Sequence, residues 1–473
     1  MIKRIKERIK MVELPVGLVA QVEELLTKQE KVLVSWVTKI ESLNLLMIFK
    51  QGKGVYSTKR FFWQNPSKKV TLVGLGSTNQ FCSNKGITSY QGVHEFNQQL
   101  KKQTATNQKR RATGALLFGG FDFDPERGES KEWQDFQSAF FYLPTYLVTV
   151  LSEETYLTIN FYVDSQTDLH QKANEFFGKW EELLEEQIVP KAAKAVVTNK
   201  TELATTEWIQ AVDETVELIK QSTTLQKVVL SRQLLVEHDS VVDVEDVLER
   251  LMMTQQNSYF FVLENKEKAF IGATPEQLLA AENQHYYSAC VAGSAPRGKT
   301  KAEDQVIGEA LLKDHKNTHE HHLVVEMISE TLRTLTLDLN VSGNPTLLKN
   351  RDIQHLFVTV EGKRQATVPF LMAVKAMHPT PALGGLPRNE ALAVIREKEP
   401  YHRGFYGAPI GWLNQDDEGE FAVAIRSALL MEKQSILFAG CGLVAGSKSA
   451  EELIETRIKF QPMLRALGGL DHE

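Results

Sequence analysis

From about Trp208 to the C-terminus, short apolar or alternating runs closed by turn residues take turns with long amphipathic stretches, and this order constrains the fold most. KVVLSRQLLVEH, starting at Lys227, reads as a strand, with side chains pointing to alternate faces. SYFFVLE, EKAFIGA, EQLLAAE and HYYSACVAG follow as a meander, with turns expected at Glu264 to Lys266 and at Glu282 to Gln284. YGAPIGWL and EFAVAIRSALL are predicted to pair antiparallel around the acidic tip NQDDEGE, and SILFAGCGLV adds a strand. Helices are predicted from about Lys313 to Leu335 and from about Ser449 to Leu467. Meanders with interposed helices point to an α+β fold rather than a doubly wound parallel one.

The first part of the chain is less legible. Apolar runs such as VTLVGLG and TGALLFGGFDF mix with helical stretches, and its polar residues do not converge. No internal repeat, low-complexity tract or Gly/Ser/Pro-rich linker divides the chain. Residues 1–473 are therefore expected as one domain, with a divergent N-terminal part (1–205) and a core (206–473).

Composition excludes several classes. With 42% hydrophobic and 24% charged residues the chain suits a globular protein with a large core rather than disorder. A net charge of −6 without a long run of one sign argues against nucleic acid, which needs a concentrated basic surface. The basic stretch KKQTATNQKRR, ending at Arg111, is predicted as a solvated loop. Cys82, Cys290 and Cys441 are odd in number, far apart and without a CxxC pair, which fits a reducing compartment and neither zinc nor a redox site. The basic start MIKRIKERIKMVELPVGLV imitates an organelle presequence, but Glu13 and Pro15 interrupt any secretory apolar core. No run approaches the ~20 apolar residues of a membrane span. The expectation is a cytoplasmic protein with no membrane association and no obligate protein partner.

Several side chains sit where chemistry is conceivable, each with a bland reading beside it. Glu320 precedes Leu323, Val324 and Met327 at helical spacing, so its carboxylate shares the apolar stripe and needs a partner. On the last helix Ser449 and Glu452 match a capping box, and Glu455 and Lys459 follow on roughly one face. These acids suit an oxygen-liganded cation, although helix glutamates are ordinarily solvated. In KDHKNTHEHHL, His315, His319 and His322 fall at helical spacing and suit either zinc or a polar helix start. Lys227 opens an apolar strand, where its ammonium either snorkels to solvent or enters a site. Glu276, in GATPEQLL, reads alone as a surface glutamate after a proline turn. FAGCGLVAG and HPTPALGGLPR are too irregular for a phosphate or dinucleotide loop.

Taken in order, KVVLSR, GATPEQLL, AGSAPRG, KNTHEHHLVVEMI, HLFVTVEG, HPTPALGGLPR, RGFYGAPIGW, AIRSAL, FAGCGLVAGS and ELIETRIKFQPML resemble the chorismate-utilising enzymes. That family makes isochorismate, salicylate, anthranilate and aminodeoxychorismate. The match is collinear from about Trp208 onward; before it only GALLFGGFDFDP is similar. The resemblance implies antiparallel sheets flanked by helices with the site between them. It also implies Mg²⁺ held at Glu320 and Glu455 with Glu452 beside them, a metal class that prefers oxygen ligands. Further implied roles are Lys459 toward the ring carboxylate, Arg426 gripping the enolpyruvyl carboxylate, Gly293 and Gly440 amides as anion donors, and Ala382 as pocket wall.

By the same resemblance Lys227 is the general base that activates water and must be neutral to act, while Glu276 is the acid that protonates the departing hydroxyl. Water-using members carry lysine at the Lys227 position and ammonia-using ones generally do not. Together with the HPTPA block this favours the branch that interconverts chorismate and isochorismate, menaquinone-type more than siderophore-type. A salicylate-forming enzyme and a chorismate-binding paralogue without turnover are the alternatives.

Overall fold

Apolar residues on both faces of most strands require sheets covered on both sides. In the strand Arg60–Gln64, Phe61 and Trp63 enter an aromatic layer between two sheets, while Phe62 enters the layer under the outer helices. The computed structural model describes residues 13–469 except 57, 85, 129, 186–193 and 352, so most of the basic N-terminal stretch lies outside the described residues.

Among the described residues one sheet has 13 strands and the other 10. The α+β architecture and the antiparallel meanders expected from the sequence are present. In the larger sheet Lys227–His238, Gln434–Leu443, Ser427–Met431, Lys268–Thr274 and Tyr259–Asn265 lead inward to a seam. Beyond it lie Arg60–Gln64, Val70–Leu75, Tyr146–Leu151, Glu154–Asp164 and Lys31–Ile40, with Phe261 opposite Trp63 at the seam. The smaller sheet runs through Ile353–Lys363, His285–Pro296, Gln277–Glu282, Gly419–Val423 and Pro409–Leu413, then Leu117–Phe121, Ala139–Leu143 and Asn79–Ser83.

Strand order and chain path are mirrored about these seams. In the core the chain leaves the larger sheet after Thr274 and returns to it at Ser427. In the N-terminal part it leaves after Leu75 and returns at Tyr146. The sequence carries no repeat, so this duplication lives in topology.

Two strand predictions change accordingly. The four-strand meander is divided between the sheets at Pro275 and Glu276, a proline lacking the donor a continuing ladder needs. EFAVAIRSALL is two strands, because Arg426 adopts a left-handed φ of 50° and turns the chain from one sheet into the other. The tight hairpin at Asn283 and Gln284 is as expected, both residues having positive φ as a type I′ turn demands.

KKQTATNQKRR is not a loop throughout: Ser89–Gln103 is helical and Thr104–Thr106 pairs parallel to Lys31–Ile40. Arg111 at its end stacks over Trp412 and faces Glu282. Helices cover the outer faces, including His315–Arg333 and Ser449–Leu467. No described helix is long and apolar enough to cross a membrane.

Candidate active site

The places where the core changes sheet lie side by side. Ala273 N–H donates to the Arg426 carbonyl and Val423 N–H to that of Glu276. Side chains at these corners leave the packed sheets and meet the starts of helices His315–Arg333 and Ser449–Leu467. The result is a cavity of about 1010 Å³. Lys227, Glu276, Gly293, Glu320, Ala382, Arg426, Gly440, Glu452, Glu455 and Lys459 all line it, so every predicted site residue is brought to one place.

Lys227 opens its strand buried, and its ammonium donates to Glu320 Oε1 at 2.8 Å. This answers both open sequence questions: the lysine enters a site, and the carboxylate on the apolar stripe has its partner. Glycine makes the room, since a Cβ at Gly442 would lie 2.6 Å from Lys227 Cε. The charged neighbours of Lys227 are the acids Glu320 and Glu276.

Burial pushes the Glu276 carboxyl up to about 7, against a hydrogen bond from Thr380 and the charges of Lys227 and Lys459. Burial pushes the Glu320 carboxyl up, but the charge and hydrogen bond of Lys227, together with the charges of Lys459 and Lys316, hold it below the ordinary range.

Helix Ser449–Leu467 supplies the opposite wall. Lys459 bridges Glu455 Oε1 at 2.6 Å and the Gly440 carbonyl at 2.8 Å. The predicted capping box is absent. Lys448 is the N-cap and makes no side-chain cap, Ser449 is the first helical residue, and Glu452 points inward. Burial raises the Glu452 carboxyl, with Glu455 adding to the rise, and its Oε2 is buried without a hydrogen-bond partner among the described residues. Among the described residues no three metal-ligating side chains gather at one point. Glu320 and Glu455 are instead each engaged by a lysine.

Sequence reasoning missed several contributors. Arg232, buried five residues beyond Lys227 on the same strand, donates to Thr456 beside Glu455 and to Glu202, which fixes the C-terminal helix against the Lys227 strand. His355 lines the cavity with Nδ1 2.8 Å from Ser294 Oγ, and burial then Arg426 and Lys459 push it down to about 3, so it is neutral. Tyr406 reaches the cavity beside Gly440. Thr380, His355 and Tyr406 lie inside the quoted blocks HPTPA, HLFV and RGFYG, which was the available signal. Gly293 has φ of 69° at a bulge of the strand His285–Pro296, a conformation that favours glycine.

Chemically, the cavity offers a buried acid, a lysine whose charge acts on it, further carboxylates on two helices, and Arg426 with Lys459 to hold anions. Such a set suits proton transfer on a small anionic molecule.

A family model described as chorismate binding enzyme matches residues 20–468. The chain is 38% identical over 447 residues to the isochorismate synthase MenF of Bacillus subtilis (strain 168), covering 93% of this chain and 94% of that one. It is 34% identical to the salicylate biosynthesis isochorismate synthase of Pseudomonas aeruginosa, over 75% of each chain. Among solved structures, the menaquinone-specific isochorismate synthase MenF from Escherichia coli superposes with a TM-score of 0.77 at 24% identity, covering 95% of this chain and 98% of that one, a likeness of fold.

Proposed function

This chain belongs to the chorismate-binding enzyme family, and from that premise we propose that it isomerises chorismate to isochorismate. Water adds at ring carbon 2, the double bonds shift, and the hydroxyl of carbon 4 leaves. Support comes from the relative that shares 38% identity over nearly the whole chain. The observation that carries the reading is one cavity holding both a buried lysine and a buried carboxyl raised to about 7.

Glu276, able to stay protonated near neutrality, gives its proton to the departing hydroxyl. Lys227 takes the proton of the attacking water, and must first let go of Glu320. Arg426 and Lys459 hold the two carboxylates of the dianion, aided by the backbone at Gly293 and Gly440, with Ala382 as wall.

The donor set fits Mg²⁺. Besides Glu276, three carboxylates face the cavity, and Glu452 Oε2 is an oxygen buried with no hydrogen-bond partner among the described residues. Glu320 and Glu455 would hold the ion with Glu452 beside them, and when bound it anchors the ring carboxylate of the substrate. We place the reaction in the cytoplasm, in keeping with three free cysteines, and on the menaquinone branch, in keeping with the name MenF that the Bacillus subtilis relative shares with the menaquinone-specific Escherichia coli enzyme.

The test is chromatographic: chorismate with Mg²⁺ is expected to reach equilibrium with isochorismate, and Lys227→Ala to abolish this while keeping chorismate binding. Salicylate as the product would overturn the assignment in favour of pyruvate elimination. Binding without conversion would leave a chorismate-binding protein.

A further inference from the structure

The helix His315–Arg333 carries four histidines in its first three turns, and they have three different fates. His321 points into the fold, buried, with Nε2 3.4 Å from the Cys290 carbonyl. His322 stays outside and faces Glu326 one turn on, at 3.2 Å. His315 and His319 are exposed and line the mouth of the cavity that holds Glu320. Among the described residues neither of these two rings has a hydrogen-bond or ion-pair partner.

We propose that His315 and His319 form a second metal site at the cavity mouth, taking a borderline divalent ion such as Zn²⁺ or Ni²⁺. Positions i and i+4 of a helix lie on one face, with Cβ atoms about 5–6 Å apart, close enough for two imidazoles to reach one ion at about 2.0–2.1 Å. The first turn that sets this spacing is secured, since Asp314 as N-cap accepts from the Asn317 N–H at 2.7 Å. Asp314 also places a negative charge beside His315, opposing the ammonium of Lys316. Among the described residues no third protein ligand joins the pair, so waters complete the shell and the site is exchangeable. Imidazole selects borderline ions and carboxylate oxygen selects Mg²⁺, so the two sites on this one helix differ in the metal they take.

The site stands on the rim. Glu451, in the first turn of the C-terminal helix, is close enough to Lys316 for their charges to interact, so the two helix starts approach each other across the mouth. A hydrated ion held between His315 and His319 obstructs entry to the cavity and slows turnover.

The full chain, with Mg²⁺ saturating, is titrated calorimetrically with nickel chloride. One Ni²⁺ per chain is expected. His315→Ala and His319→Ala should each weaken it about tenfold or more, with melting temperatures like the wild type, and His322→Ala should leave it unchanged. Absence of binding in the wild type, equal binding in all variants, or loss in His322→Ala overturns the proposal. This titration does not depend on the proposed reaction. In a second arm, Ni²⁺ should slow chorismate consumption by the wild type and not by His315→Ala; equal slowing of both would overturn the position at the mouth.

Discussion

The two halves of this molecule follow one path with different consequences. In each, a hairpin of the larger sheet crosses to the smaller one, and a hairpin of the smaller one crosses back beside it. In the N-terminal half the crossings are Gly76 to Thr78 and Pro144 to Thr145. There the Thr78 hydroxyl meets Thr145 Oγ1 at 3.1 Å and the Asn160 carbonyl at 2.8 Å. Lys59, lining the hollow at these corners, donates to Gln80 and Asn265. The crossing residues are polar and uncharged and satisfy one another, and the lysine of the hollow is held by two amide oxygens rather than facing an acid. In the core the same corners carry Glu276 and Arg426, a buried acid and a cation turned into a cavity. The scaffold supplies a place where side chains escape the sheet packing, and residue identity decides whether that place does chemistry.

The hardest blow to this comparison is Glu276→Gln, which keeps the shape of the corner and removes its proton. Turnover of chorismate is expected to fall about 10²- to 10⁴-fold, with chorismate binding retained. Steady-state kinetics beside a binding isotherm checks it, and a fall of less than about tenfold would mean the core corner is no more catalytic than its mirror image.

Next in size is the seam. Trp63 is fully buried there, between Phe118 and Tyr259. Trp63→Ala should cost about 3–5 kcal/mol, through lost burial and the void left behind. Because both sheets run through the seams, thermal unfolding should stay a single transition at lower temperature. Two separated transitions would show that the halves stand alone.

Much of the core was legible because local pattern and tertiary role agree. The strand Lys227–His238 and the helix Ser449–Leu467 have the predicted bounds, the strand as a run buried through its first eight residues and the helix ending at the left-handed Gly468. Where the sequence misled, backbone geometry overruled an unbroken apolar run. Nothing in EFAVAIRSALL announces that Arg426 is left-handed, and Ser449 with Glu452 has capping spacing while the cavity claims the glutamate. The mirrored order was illegible because pairing partners lie far apart in the chain, and covered sheets accept any apolar residue of fitting volume. The site residues were recognisable through the order of their blocks; that Glu320 meets Lys227 and Arg232 meets Thr456 needed the fold.

A third effect separates the corners by pH. Burial raises the Glu276 carboxyl to about 7, so the acid form is lost as pH rises through that value. Turnover should fall on the alkaline side, approaching about tenfold per pH unit well above it. Stability moves the same way: a carboxyl raised in the folded state favours folding below its unfolded value, and that contribution disappears as pH rises through about 7. A kcat profile still rising above the neutral range would remove Glu276 as the acid.

The smallest effect is expected at the mirror corner, from Thr78→Val. The substitution keeps the volume and removes a hydroxyl that donates to the Asn160 carbonyl at 2.8 Å and meets Thr145 Oγ1 at 3.1 Å. Both groups lose a partner where the chain crosses between sheets, at a cost of about 1 kcal/mol. Thr78 N–H still donates to the Leu143 carbonyl, so the two crossings stay tied through the backbone and the corner should relax rather than open. Turnover should match the wild type within about a factor of two, because about 1 kcal/mol of lost stability leaves a marginally stable domain almost wholly folded. Denaturant titration reads the first quantity and steady-state kinetics the second. A collapse of turnover in a protein that still melts cooperatively would mean that strain at the N-terminal corner travels through the seam to Glu276, and the two halves would then have to be treated as one catalytic unit.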